Sequence, residues 1–222
     1  MLEVILDTET TGLSTAEKHK IVEIGCLELN DQIPTKNIFH TYINPERTVS
    51  EDAYKVHGYT NKFLSNQKTF AEISDQFLNF IKDKKLVIHN AEFDIAHLNN
   101  ELEIVGKKKI EKKNIIDTLD IARDKFPGSQ ISLDALCKRY KIDNSKRTKH
   151  TALIDCELLT KVYINLLDQK EPSLNFEINN ENNNVNLNLS NNYSKKIIKP
   201  TEEEIYLHKN FLKNYLNKNY FN

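Results

Sequence analysis

Val4-Ile-Leu-Asp-Thr-Glu-Thr-Thr-Gly12 decides how the rest of the chain is read. Val4, Ile5 and Leu6 form a short apolar run of the kind that makes a buried strand. Side chains alternate between the faces of a strand, so Asp7 and Glu9, at its end, point to the same side. Two carboxylates on one face can grip one cation together. Thr10, Thr11 and Gly12 then turn the chain, and Gly12 permits a close backbone approach. By itself an Asp-x-Glu is usually a solvated pair, and its meaning depends on what stands further along.

Two later motifs supply that company. Leu86-Val-Ile-His89 repeats the buried-strand pattern, and Asp94 closes Ile88-His-Asn-Ala-Glu-Phe-Asp94. Asp94 opens a predicted helix from about Ile95 to Val105, with Ile95, Leu98, Leu102 and Val105 on one face and Gly106 as its stop. A lone Asp there is commonly a helix cap or a partner of the helix dipole. His150-Thr-Ala-Leu-Ile-Asp155 begins another helical pattern, from about Thr151 to Leu167, whose apolar face is Leu158, Leu159, Val162, Tyr163 and Leu166. A histidine about one turn from a cation-binding Asp suits a general base, because an unperturbed imidazole titrates near neutrality. Carboxylates gathered from distant points repel one another unless divalent cations offset them, and hard oxygen ligands suit magnesium and manganese.

Taken in order, Asp7-Thr-Glu9, Asn90-Ala-Glu-Phe-Asp94 and His150-x4-Asp155 resemble the signatures of the DEDD superfamily of 3′–5′ exonucleases, histidine subtype. The tyrosine subtype carries Tyr four residues before the last Asp, where this chain has Thr151. Asp117-Thr-Leu-Asp-Ile-Ala-Arg123, Phe126-Pro-Gly128, Ser132-Leu-Asp-Ala-Leu-Cys-Lys-Arg-Tyr140, Ile142-Asp-Asn-Ser-Lys-Arg-Thr148 and Val56-His-Gly58 sharpen the likeness. Over residues 1–168 the chain is similar to the proofreading epsilon-subunit family of bacterial DNA polymerase III. The resemblance implies an α/β fold, a ribonuclease-H-like mixed sheet flanked by helices. It also implies that Asp7, Glu9 and Asp155 hold two divalent metal ions, Mg2+ or Mn2+, with Asp94 completing the acidic cluster directly or through water. His150 would take a proton from the attacking water, and a nucleoside 5′-monophosphate would leave. Asp7, Glu9 and Asp155 would also meet substrate, with His57 and Asp52 positioning the terminal nucleotide; Asp52 stands where the family usually has Glu.

Composition fits an enzyme that works with partners. The 222 residues carry a formal net charge of −1. A protein that seizes long DNA alone normally has a basic face, so a short single-stranded 3′ end delivered by a polymerase is the expected substrate. The run Lys107-Lys-Lys109 with Lys112-Lys113 is expected to be a solvated loop, as charge runs usually are. With 39% hydrophobic residues and no long apolar run, no membrane span is expected. Cys26, Cys137 and Cys156 lack paired or metal-type spacing and read as reduced core thiols of a cytoplasmic protein.

Three segments follow. Residues 1–168 are the expected exonuclease domain. Its further elements are strands at Lys20–Leu29, Asn37–Ile43 and Asn114–Asp117, a capped helix from Thr69 to about Lys82, and helices from Thr118 and Ser132. Residues 169–200 form an Asn-rich flexible linker: ten of the eighteen residues from Asn175 to Asn192 are Asn, a composition that cannot bury a core. Within it, residues 171–176 (Glu171-Pro-Ser-Leu-Asn-Phe176) resemble the family's sliding-clamp peptide, with Glu171 where Gln is usual, so the clamp contact is expected to be weak. Residues 201–222 begin with the capping box Thr201/Glu204 and place Leu207, Phe211 and Tyr215 at i+4 spacing beside His208, Leu212 and Leu216. The family likeness makes this amphipathic segment a tether to the polymerase catalytic (alpha) subunit. Two other readings stay open from the residues alone: a stand-alone DEDD nuclease acting on RNA or short oligonucleotides, and a non-catalytic stabilising subunit.

Overall fold

The computed structural model describes residues 1–145, 147, 149–167 and 200–215. The 171–176 peptide, nearly all of the 169–200 segment and the end of the tail past 215 lie outside the described residues. In chain order the elements are β1 (Leu2–Thr10), β2 (Ile21–Asn30), β3 (Ile33–Asn44), α1 (Glu51–His57), α2 (Asn61–Leu64), β4 (Lys68–Thr69), α3 (Phe70–Ile81), β5 (Lys85–Ile88), α4 (Ala91–Ile104), β6 (Ile115–Asp117), α5 (Thr118–Lys125), α6 (Leu133–Tyr140), α7 (Ala152–Leu166) and α8 (Glu202–Tyr215). The six strands order as β4-β3-β2-β1-β5-β6. β1, β2 and β3 form an antiparallel meander, whereas β5 pairs parallel with both β1 and β6, so the sheet is mixed.

Helices cover both faces, and the alternation along β1 shows how. Val4 and Leu6 join a core with Phe70, Ile73 and Phe77 of α3 and Ile95, Leu98 and Leu102 of α4. Ile5 points the other way, into a core with Leu136 of α6 and Cys156, Leu159 and Val162 of α7. Period two therefore sends Asp7 and Glu9 to the α7 side and Thr8 to the α4 side. β2 divides likewise, with Ile24 and Cys26 in the first core and Leu29 in the second. All three cysteines are buried and free.

Several boundaries differ from the sequence expectation. β1 runs on through Thr10, so Asp7 and Glu9 lie within a paired strand, opposite Gly25 and Glu23. β3 starts at Ile33 and includes Pro34, opposite Leu29; the first part of β3 has β2 on only one side, and a proline is tolerated on such an edge. α4 starts at Ala91, four residues early, so Asp94 sits inside its first turn. The start is hidden in sequence because Asn90 takes a left-handed conformation (φ 69°) before the helix. α1 and α2, capped by Ser50 and Thr60, were not foreseen; they are short and mostly exposed, and so lack an apolar period. The Thr69/Glu72 box was foreseen, and its return bond from Thr69 N to Glu72 Oε2 is 2.7 Å. The Lys107–Lys113 run is paired with acids: Lys107 with Asp75, Lys108 and Lys113 with Glu111, and Lys109 with Glu103.

In the C-terminal unit, from Asn175 onward, the described residues hold one element, α8. Thr201 N donates to Glu204 Oε2 (2.7 Å) and Glu204 N to Thr201 Oγ1 (3.3 Å), the expected capping box. Ile205, Tyr206 and Leu207 are exposed on it. No helix among the described residues is long and apolar enough to cross a membrane.

Candidate active site

All seven residues singled out from sequence line one cavity of about 1060 Å³: Asp7, Glu9, Asp52, His57, Asp94, His150 and Asp155. Three elements bring the four carboxylates together. β1 presents Asp7 and Glu9 toward α7, whose first turn carries Asp155. From the opposite face, α4 sends Asp94 to the strand itself, where its Oδ1 accepts from Thr8 N (3.0 Å) and Thr8 Oγ1 (2.7 Å). Glu9, His150 and Asp155 each offer a ligand atom, and these atoms lie within 4.8 Å of one another.

The electrostatics show what such a cluster needs. Burial pushes the Asp7 carboxyl well above the carboxylate range, and Asp94, Glu9, Asp155 and Glu23 push it further. Burial with the charges of Glu23, Asp155 and Asp94 raises Glu9 to about 8. Burial raises Asp94 to about 7 against the opposing bonds from Thr8. Asp155 is also buried, but its neighbours His150 and Arg147 outweigh that and hold it low. Three carboxyls that resist ionising beside a fourth that is ionised form a donor set suited to hard divalent cations, whose charge removes the penalty. The residues present therefore fit the metal ions of the resembled family, with Asp7, Glu9 and Asp155 as the groups that would hold them.

His150 is half-exposed, its Nδ1 3.4 Å from Asp155 Oδ2. Its backbone N donates to Val56 O (3.2 Å), which fastens the segment before α7 to the end of α1. That helix carries both proposed nucleotide contacts. His57 is buried; its Nδ1 accepts from Tyr59 N (3.0 Å) and its ring stacks on Tyr59 at 4.7 Å. Burial lowers its pKa, which favours the neutral ring. Asp52 is exposed at the rim and paired with Lys55 at 2.9 Å.

Three residues that matter here were not anticipated. Glu23 is fully buried opposite Glu9, and its carboxylate accepts from Tyr59 Oη (2.7 Å), Ala152 N (3.0 Å) and His40 Nε2 (2.7 Å). It ties the His57 loop to the start of α7. Asp117, at the end of β6, accepts from Asn90 N (3.0 Å), Ala91 N (2.9 Å) and Leu119 N (2.8 Å), and so fixes the start of α4 below Asp94. Arg147 grips Asp155 with Nε and Nη2 at 2.6 and 2.7 Å. A Glu within an apolar strand was the one available signal for Glu23; Asp117 and Arg147 stand in segments that carry the family likeness, but no periodicity gives their partners, because those of Asp117 on α4 are 26 and 27 residues away and Arg147 lies in an irregular segment.

Comparison with known proteins agrees with this geometry. The family model described as Exonuclease matches residues 4–163. The DNA polymerase III subunit epsilon of Rickettsia felis is 48% identical over 221 residues, 96% of each chain. The chain belongs to the DNA polymerase III epsilon family of exonucleases. The Escherichia coli epsilon subunit is 46% identical over 170 residues, 73% of this chain and 70% of that one. Among solved structures, Exonuclease X in complex with 5′-overhanging duplex DNA aligns with TM-score 0.58 and 26% identity over 75% of this chain and 92% of its own. The nuclease domain of 3′hExo, a DEDDh family member bound to rAMP, shares the fold at TM-score 0.66 and 20% identity, covering 76% of this chain and 92% of its own. As an epsilon-family protein the chain is a metal-dependent 3′–5′ exonuclease.

Proposed function

We propose that this exonuclease proofreads for a replicative DNA polymerase, removing mispaired nucleotides from single-stranded 3′ DNA ends as nucleoside 5′-monophosphates. The convergence of Asp7, Glu9, Asp94 and Asp155 with His150 in one cavity carries the reading. Asp7, Glu9 and Asp155 would hold two ions, Mg2+ or Mn2+, and Asp94, fixed on Thr8, would complete the cluster. When bound, such ions supply an activated water and stabilise charge on the attacking and leaving oxygens. His150 accepts the proton from the attacking water, and its half-exposed ring leaves room for that water to enter. His57 and Asp52, at the α1 side of the cavity, position the terminal nucleotide. Mispaired ends unpair at lower cost, so selectivity needs no base reading.

The segment from Thr201 onward docks the polymerase alpha subunit, with residues 171–176 making a weak clamp contact and residues 169–200 acting as the tether, in the cytoplasm. A tether raises the effective concentration of the nuclease at the primer end. The deciding experiment is hydrolysis, with Mg2+ or Mn2+, of a 3′-mispaired DNA primer against a matched primer and an RNA of the same sequence. Faster release of the mispaired DNA nucleotide supports proofreading. A preference for RNA would replace it with a stand-alone RNA-degrading activity, and no metal-dependent turnover on any of the three would leave only a structural subunit.

A further inference from the structure

We propose that Arg147 is a resident cation that keeps the metal-free site latent, and that it has to leave Asp155 before a divalent ion can be held there. The proposal rests on the metal-site reading given above. The Arg147 side chain is only 8% exposed, and each of its three nitrogens has a partner. Nε and Nη2 donate to the two Asp155 oxygens at 2.6 and 2.7 Å, and Nη1 donates to Asp134 Oδ2 at 2.7 Å. Nη2 also lies 2.8 Å from His150 Nδ1. A guanidinium has donors only, so Nδ1 accepts there and its lone pair is occupied. One permanently charged group thus covers both oxygens of a metal ligand and one lone pair of the base.

The fork matches a carboxylate in two parallel bonds, the strongest form of such a pair. An ion held by Asp155 needs at least one of the oxygens that Arg147 occupies. The like charge of the guanidinium opposes a divalent ion at the same place even without contact. The third arm lets Arg147 withdraw without being set adrift. Asp134, half-exposed on α6 and itself bonded by Asn144 Nδ2 at 3.0 Å, keeps hold of Nη1. Withdrawal frees Asp155 and His150 together, so ion binding and release of the base are one event. Arg147 is a positioning residue in this scheme, acting through Asp155 and His150.

The test uses the full chain stripped with chelator, titrated with Mn2+ by calorimetry and melted with and without Mn2+. Arg147→Gln keeps an amide donor near the Nε position but removes the charge and the fork. It is expected to melt lower without metal, to bind Mn2+ about tenfold more tightly, the scale of one charge-assisted bond, and to show a larger Mn2+-induced rise in melting temperature. Asp134→Asn leaves Arg147 on Asp155 but weakens the anchor that holds it once withdrawn, and is expected to weaken Mn2+ binding by a smaller factor. Unchanged or weaker Mn2+ binding by Arg147→Gln overturns the proposal; should that variant not fold, unchanged or tighter binding by Asp134→Asn overturns it instead. Absence of any saturable wild-type binding that Asp7→Asn removes is a different failure: it sinks the metal-site reading first, and the proposal with it.

Discussion

Gly25 of β2 and Ala152 of α7 meet backbone to backbone: a Cβ on Gly25 would stand 2.6 Å from the Ala152 carbonyl carbon. The helix that carries Asp155 therefore seats on the sheet only because position 25 has no side chain. Gly25→Ala should lift the start of α7, destabilise the chain by about 1–3 kcal/mol, the usual cost of overpacking, and reduce nuclease activity further than stability alone explains. Chemical denaturation and hydrolysis of a single-stranded oligonucleotide would measure both. Wild-type values for both would show that α7 does not depend on this contact.

The carboxylates should separate by partner. Asp7→Ala and Asp155→Ala are both expected to abolish hydrolysis at saturating Mg2+. Without metal their stabilities should move in opposite directions. Asp7→Ala relieves repulsion with Asp94, Glu9 and Asp155 and should melt higher. Asp155→Ala leaves the buried Arg147 with Asp134 as its one acidic partner and should be destabilised, by up to about 3–5 kcal/mol, the scale for breaking a buried pair. Thermal melts in chelator decide it, and a shift of the same sign in both variants would contradict the assignment.

His150→Ala is expected to slow hydrolysis by about 10²–10⁴-fold, the usual range for loss of a general base, with Mn2+ binding largely kept. Single-turnover rates alongside calorimetry would separate the two effects. A variant as fast as wild type would make His150 structural.

The metal-free chain should become less stable as pH rises from about 5 to about 8. Glu9 and Asp94 are raised to about 8 and about 7 in the fold, and Asp7 is raised too. The folded state therefore binds more protons than the unfolded state in this window, and stability falls with rising pH. Asp155, held low, works in the opposite sense only below about pH 4, and His57, His89 and His97, lowered by burial, do so up to about pH 6.5, so the fall is read most cleanly between about 6.5 and 8. Saturating Mg2+ should flatten the slope between 5 and 8. Melting temperatures across pH, with and without Mg2+, give the answer, and a rising slope in chelator would refute the cluster's electrostatics.

Truncation after Leu167 should leave hydrolysis of free single strands intact while abolishing co-purification with the polymerase. Glu171→Gln should tighten clamp binding measurably. Full-affinity polymerase binding by the truncated chain would remove the tether reading, and an inert Glu171→Gln would reduce residues 171–176 to linker.

The motif residues were legible because each sits at a local signal: Asp7 and Glu9 on the apolar Val4–Leu6 run, Asp94 after Leu86–Ile88, and Asp155 at the head of a periodic helix. Helices whose apolar face repeats, such as α3 with Phe70, Ile73, Phe77 and Ile81, were legible for the same reason. α1 and α2 were not, because short exposed helices held by Ser50 and Thr60 caps have no period to read. The early start of α4 was not, because the left-handed turn at Asn90 is held by Asp117, 27 residues away.

By itself, then, the sequence picked out the candidate site residues and, for Asp7, Glu9 and Asp155, the kind of element each stands on, since residue type and spacing along a strand or helix are local properties. Only the tertiary structure decided that Asp94 reaches the cluster through Thr8 from the far face of the sheet, that Glu23 fastens α7 to the His57 loop, and that Arg147 sits on Asp155. Those partners are separated by 86, 129 and 8 positions. Long-range contacts come from strand order and helix seating, and an irregular segment such as the one carrying Arg147 has no period from which the direction of a side chain can be read.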